Sequence, residues 1–161
     1  MTAPTSHPSE LELGRQLCFA LYTASRAVVR AYGPLLDELG LTYPQYVVLL
    51  ALWERPDSPL TVGRLGALLH LDSGTLTPLL KRLEGLGHVR RRRDAADERR
   101  VLIELTAAGL ALRERAVGIP RALARRTGLS ASRLAELRDE LTRLVDVLEA
   151  APAGEPLPGS A

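Results

Sequence analysis

Scarcity marks this 161-residue sequence. It has one cysteine (Cys18), one lysine (Lys81), no asparagine and six aromatic residues, four of them tyrosine. A single cysteine excludes an intrachain disulfide framework. With three histidines (His7, His70, His88) at no ligand spacing, it also leaves no set for a structural zinc site. No apolar run approaches the roughly 18 residues of a membrane-crossing helix. The start, MTAPTSHPSE, has neither a charged n-region nor an apolar h-region. A cytoplasmic protein with a reduced thiol and no membrane partner is therefore expected. Ser25 and Ser73 have no His/Asp partners for acyl transfer, and there is no glycine-rich phosphate loop. No metal, cofactor or catalytic residue is read, so the chain is expected not to be an enzyme.

Net charge is only +2, so total charge does not announce a polyanionic partner. Its distribution does. Lys81–Arg100 holds eight Lys/Arg against four Asp/Glu, and Arg90–Arg93 is an unbroken run of four.

The spacing over 11–31 is helical. Leu13, Leu17, Leu21 and Val28 form one stripe; Cys18, Tyr22, Ser25, Val29 and Tyr32 form its neighbour. Gly33-Pro34 is expected to break this helix and open a short one over 34–39, ended by Gly40. Thr42 caps the next helix, with Pro44 in its first turn, and that helix stops before Pro56. Thr61 and Asp72 cap two more, the second passing through Pro78 and closing at Gly87. The period then changes. Segments 88–93 and 99–105 flank DAADE, and Val101, Ile103 and Leu105 alternate with Leu102 and Glu104, a half-buried strand in a hairpin. Thr106 caps a further helix in which Gly109 is a mild weakness. The last helix, 130–150, sets Leu134, Leu137, Leu141, Leu144 and Leu148 in an a/d-type seam, the spacing by which two helices pack. Trp53 is read as core.

The fold expected is mainly α with a small β-hairpin wing: a winged helix-turn-helix with N- and C-terminal dimerisation helices. In such a unit the second helix enters the major groove and its first residues reach base edges. Here these are Ser73, Gly74, Thr75, Thr77 and Pro78. Lys81 and Arg82, one turn on, suit phosphates, and arginine at a hairpin tip suits the narrow minor groove. Strand alternation sends half of Arg90–Arg93, taken as Arg91 and Arg93, toward the nucleic acid and leaves the partners of the others open. The plainer alternative for all of these is a solvated basic face.

Cys18 permits two readings. Buried thiols on apolar helices act as small inert hydrophobes. Against that, Tyr22 lies one turn away and all four tyrosines fall within 29 residues of the cysteine. Phenol O–H groups can donate to a thiolate without neutralising it.

Segment LDSGTLTPLLKRLEGLGHVRRRRDAADERRVLIELTAAG resembles the DNA-binding core of the MarR family. The DER at Asp97–Arg99, followed by Leu105, Thr106 and Gly109, is similar to that family's wing and the helix start beyond it. Segment LCFALYTASRAVVRAYGPLLDELGLTYPQYVVLLALWE resembles the family's organic-hydroperoxide-sensing OhrR branch, and the likeness covers about 11–120. It implies that Arg99 enters the minor groove, that Asp97 steadies it by a salt bridge, and that the terminal helices build a homodimer. It places Cys18 on the reactive-cysteine position and Tyr32 and Tyr43 on tyrosines that hydrogen-bond the partner subunit's sulfur. Tyr22 matches another family tyrosine. The organisation expected is a flexible 1–9, one folded chain over 10–151 with dimerisation helices at 10–40 and 107–151 around a winged lobe at 42–106, and a disordered tail at 152–161.

The function so implied is a one-cysteine, redox-sensing repressor. It holds pseudo-palindromic double-stranded operator DNA while Cys18 is reduced and lets go when an organic hydroperoxide oxidises that thiol to a sulfenic acid. With no second cysteine, the sulfenate is left to a low-molecular-weight thiol, a sulfenamide or over-oxidation. Two alternatives stand beside it: a MarR-type repressor released by a small aromatic ligand, with Cys18 a bystander, and a thiol enzyme.

Overall fold

The computed structural model describes residues 11–150. The segments expected to be loose, 1–9 and 152–161, lie outside them. After a 3-10 turn at Leu13–Arg15 come α1 (Leu17–Asp37), α2 (Tyr43–Trp53), β1 (Leu60–Thr61), α3 (Val62–Leu69) and α4 (Ser73–Gly85). Then follow β2 (Val89–Arg93), β3 (Val101–Leu105), α5 (Ala107–Ala116), α6 (Ile119–Thr127) and α7 (Ala131–Ala150). The three strands form an antiparallel sheet in the order β1-β3-β2. The expected winged helix-turn-helix is present.

Three local expectations need correction. Gly33-Pro34 does not break α1, which runs through it to Asp37. Proline removes one backbone donor, but continuing the helix keeps Tyr32, Leu35 and Leu36 on one face, and that face packs into the core with Leu36 1% exposed. Burial outweighs the lost bond. Second, the hairpin is joined by β1, where Leu60 pairs with Ile103 and Thr61 with Leu102. Two residues are too few to show a period. Third, α6 was not foreseen. It opens with Pro120 in its first turn, where a missing N–H costs nothing, and ends at Gly128 with φ +68°.

The expected caps are there. The Gln45 side chain accepts the Thr42 N–H (2.8 Å) at the start of α2. The Thr61 hydroxyl accepts Arg64 N–H (3.1 Å), the Asp72 carboxylate Thr75 N–H (2.9 Å), and the Thr106 hydroxyl Gly109 N–H (3.0 Å). The turn between α3 and α4 is tight enough that a Cβ on Gly66 would stand 2.7 Å from the Leu71 carbonyl oxygen.

The chain divides after Ile119 into two compact units. In the first, Val48, Leu49, Leu65, Leu76, Leu80, Leu83 and Ile103 are buried together. Helix α5, expected among the dimerisation helices, closes this same core through Leu112 and Ala116. Its Gly109 is no weakness. A Cβ there would stand 2.1 Å from the His88 carbonyl oxygen, and the Gly109 carbonyl accepts the indole N–H of buried Trp53 (2.9 Å). In the second unit α7 carries the leucine seam; Leu134 and Leu144 are half-buried, while Leu137, Leu141 and Leu148 stay exposed.

Candidate functional site

The start of α4 is organised by Asp72. Its carboxylate accepts both the backbone N–H and the hydroxyl of Thr75 (2.9 Å each), which hold it below the usual carboxylate range. The Thr75 proton is thus turned back onto the cap, leaving its methyl and acceptor lone pair for an outside partner. Ser73, Gly74, Thr77, Pro78, Lys81 and Arg82 are all exposed on the same helix.

The arginine run sorts by strand alternation. Arg90 and Arg92, on one face of β2, both bind Glu104 of β3 (2.6 Å each), and these guanidinium groups keep its carboxyl below the usual range. Arg91, on the other face, is held by Glu84 of α4. One carboxylate oxygen accepts the Arg91 backbone N–H (2.9 Å) and the other its Nε (2.6 Å), so the Glu84 carboxyl too lies low. Arg91 was expected to point at phosphate; instead it ties the wing to the end of α4. Arg93 lies toward the tip, donating to the Glu98 carbonyl at 3.4 Å.

In the loop beyond, the implied Asp97–Arg99 ion pair is not formed. The Asp97 carboxylate accepts the Arg99 backbone N–H (3.1 Å), which shapes the turn and leaves the Arg99 guanidinium without an ion pair among the described residues.

Between α3, α4 and the wing lies a cleft of roughly 660 Å³. It gathers Thr77, Arg91 and Arg99 with two arginines that sequence reasoning missed, Arg64 and Arg100, and with Thr61. No carboxylate lines it. A shallower apolar groove of about 330 Å³ brings Thr75, Pro78 and Arg82 against the first turn of α2.

Cys18 is exposed in the first turn of α1, where amide N–H groups have no intrahelical partners. Tyr22 is one turn along the same helix, about 5–6 Å away between Cβ atoms by helix geometry. Its hydroxyl accepts from Arg26 (2.7 Å), whose guanidinium also lies 5.4 Å from the ring centroid. The phenol proton remains free to donate.

Tyr32 stands 14 residues on, about 21 Å along the helix at 1.5 Å per residue. There it packs on Tyr43 (ring centroids 4.9 Å apart) and on Tyr46 (5.7 Å), and Tyr46 packs on Trp53 (6.2 Å). Burial, and then the neighbouring Tyr43, raises the Tyr32 phenol; burial, with Tyr32 and Tyr43, pushes Tyr46 up to about 12. The Tyr32 and Tyr46 phenols therefore keep their protons at physiological pH. Within one chain Tyr22 lies one turn from Cys18 with its hydroxyl bonded to Arg26, while Tyr32 and Tyr43 are out of reach.

The chain matches the transcriptional regulator SarA/Rot family over residues 30–115. It is 48% identical, over 138 residues, to the organic hydroperoxide resistance transcriptional regulator of Bacillus subtilis (strain 168), which spans 86% of this chain and 92% of that protein. The chain belongs to the MarR family of transcriptional regulators. The HTH-type transcriptional regulator TtmR of Methylorubrum extorquens (strain PA1) is 46% identical over 156 residues, 97% of this chain and 79% of that one. Among solved structures, reduced AbfR bound to DNA, a protein of Staphylococcus epidermidis, is 38% identical with a TM-score of 0.68, covering 84% of this chain and 94% of that chain.

For this MarR-family chain, Glu84 and Glu104 also escaped the sequence reading. Glu104 alternates along β3 and carried a usable signal, since register sets it opposite Arg90. Glu84 carried none, because the contact between the end of α4 and β2 is tertiary. Among the described residues no group of His, Cys, Asp or Glu is placed to hold a metal, and no helix is long and apolar enough to cross a membrane.

Proposed function

We propose that this regulator is a homodimeric repressor that binds pseudo-palindromic operator DNA while Cys18 is reduced and releases it when an organic hydroperoxide oxidises Cys18. The observation that carries the reading is the placement of the thiol. The chain's one cysteine is exposed at the start of α1, one turn from Tyr22, and Tyr32 lies toward the far end of the helix, packed on Tyr43 of α2. A second copy approaching with α1 reversed would lay its own Tyr32 and Tyr43 beside this sulfur, so that oxidation in one protomer is felt by both. The exposed apolar residues of α1 (Leu17, Phe19, Val28, Val29) and of α7 (Leu137, Leu141, Val145, Leu148) support a dimer built from terminal helices. Likeness to the Bacillus subtilis organic hydroperoxide resistance regulator supports the oxidant class.

The chemistry balances without a metal. The Cys18 thiolate sulfur attacks the terminal oxygen of R–O–OH. The O–O bond breaks, an S–O bond forms, and the alkoxide takes a proton to leave as the alcohol. Sulfur is oxidised by two electrons and the peroxide is reduced by two. The sulfenic acid then condenses with a low-molecular-weight thiol, forming a mixed disulfide and releasing water. The added group displaces the tyrosine contacts and shifts the spacing of the two α4 helices, which must sit about 34 Å apart to occupy successive major grooves. Ser73, Gly74, Thr75, Thr77 and Pro78 face the bases; Lys81, Arg82 and Arg93 face phosphates; Arg99 enters the minor groove from the turn shaped by Asp97. Its setting is cytoplasmic.

An operator gel shift with cumene hydroperoxide, with and without a reducing thiol, tests this on the wild type and Cys18→Ser. The wild type is expected to release DNA on oxidation and rebind on reduction, while Cys18→Ser stays bound throughout. Release of Cys18→Ser by peroxide would sink the sensing role.

A further inference from the structure

Arg64, Arg99 and Arg100 are guanidinium groups that no carboxylate neutralises among the described residues, and all three line the cleft between α3, α4 and the wing. On β2, by contrast, Arg90 and Arg92 share Glu104 and Arg91 has Glu84, while Arg93 meets only the Glu98 carbonyl. The Glu84 contact grips both the Arg91 backbone and its Nε, so the fourth arginine of the cleft is fixed in place rather than left to swing. The Thr61 hydroxyl accepts the Arg64 N–H, which leaves its own proton free to donate, and Thr77 adds a second hydroxyl from α4. Like charges gathered around one space repel, and an oxyanion relieves that repulsion while accepting charge-assisted hydrogen bonds.

We propose that this cleft seats backbone phosphates of double-stranded DNA, with Arg64 and Arg100 as phosphate contacts in addition to the residues that meet the grooves. The assignment rests on the DNA-binding reading above. The cleft opens between the exposed face of α4 and the wing turn that carries Arg99, so one continuous backbone can follow it from major groove to minor groove. All four arginines are exposed, a setting where a single small anion competes poorly with water but a polyanion gains by releasing counterions.

The test is operator affinity as a function of salt for the full-length reduced protein. It compares wild type, Arg64→Ala, Arg100→Ala and, as a charge-matched control on the outer face of the hairpin, Arg90→Ala. Each phosphate contact contributes about 0.9 to the slope of log affinity against log salt, so losing one in each half of a dimer should flatten it by about 1.8. Arg64→Ala and Arg100→Ala are each expected to show this and to weaken operator and random-sequence DNA by the same factor. Arg64→Lys and Arg100→Lys should keep the wild-type slope, and Arg90→Ala should stay nearer to it than either cleft variant. Slopes unchanged in both cleft variants, or matched by Arg90→Ala, while the wild type still binds its operator, would overturn the cleft assignment and leave DNA binding standing. A wild type that binds no duplex would overturn both. Titrating inorganic phosphate at constant ionic strength without DNA is expected to give no saturation below millimolar concentrations; saturable binding there reassigns the cleft to a free anion and overturns the proposal.

Discussion

Cys18 opens α1, whereas Tyr32 stands far along it, packed on Tyr43 of α2, and that separation gives each residue its meaning. A stripe drawn on a helical wheel merges Cys18, Tyr22 and Tyr32 because it ignores rise along the axis. Tyr22 is a neighbour; Tyr32 is about four turns away. His88, at the root of the wing, shows another effect of place. Its Nδ1 is buried with no hydrogen-bond partner, and burial lowers its pKa. The folded state therefore resists protonation that the unfolded chain accepts at about pH 6.5. Stability is full above that pH and falls as pH drops from there toward the depressed folded value. Urea midpoints between pH 5 and 7.5 should rise with pH, and His88→Gln should remove most of that slope. A wild-type midpoint flat across this range would refute the account.

At the scale of elements, the lobe is held by contacts that bring backbones close. Helix α5 reaches the wing root because Gly109 has no side chain, and its carbonyl then receives the Trp53 indole N–H. Gly109→Ala should cost about 1–3 kcal/mol, the range for overpacking a well-filled site, read as a lowered urea midpoint with an unchanged denaturant slope. Wild-type stability would show that the contact relaxes freely. A helix-propensity reading would have Gly109→Ala stabilise the protein, so the sign alone separates the two. The wing follows the same logic. Glu84 and Glu104 set its arginines on opposite faces, and only alternation and register, not the bare run of four arginines, sort them. The capped helices and the hairpin were legible because their signals are local. The continuation of α1 through Pro34 and the strand β1 were not, because each is decided by what it packs against.

At the scale of the whole molecule, apolar surface on α1 and α7 stays exposed in a single copy. The dimer reading predicts that Leu141→Asp shifts sedimentation from dimer toward monomer and weakens operator binding by at least tenfold, since one recognition helix alone loses the avidity of two. A dimer of unchanged strength would move the interface off the α7 seam. On the proposed mechanism one thiol per chain suffices, because oxidation there acts on the spacing of two lobes rather than on either lobe's fold.

Read alone, the sequence determined the order of the capped helices, the basic hairpin, the leucine seam and the candidate thiol. Each of these is written in spacings of two to four residues, where backbone geometry leaves few choices. Only the tertiary structure decided which arginines are neutralised and which are free, that Arg64 and Arg100 join Arg99 in one cleft, that Gly109 is required, and that Cys18 lies out of reach of Tyr32 in its own chain. Those outcomes depend on distances between segments far apart in sequence, which burial and packing set and local spacing does not encode.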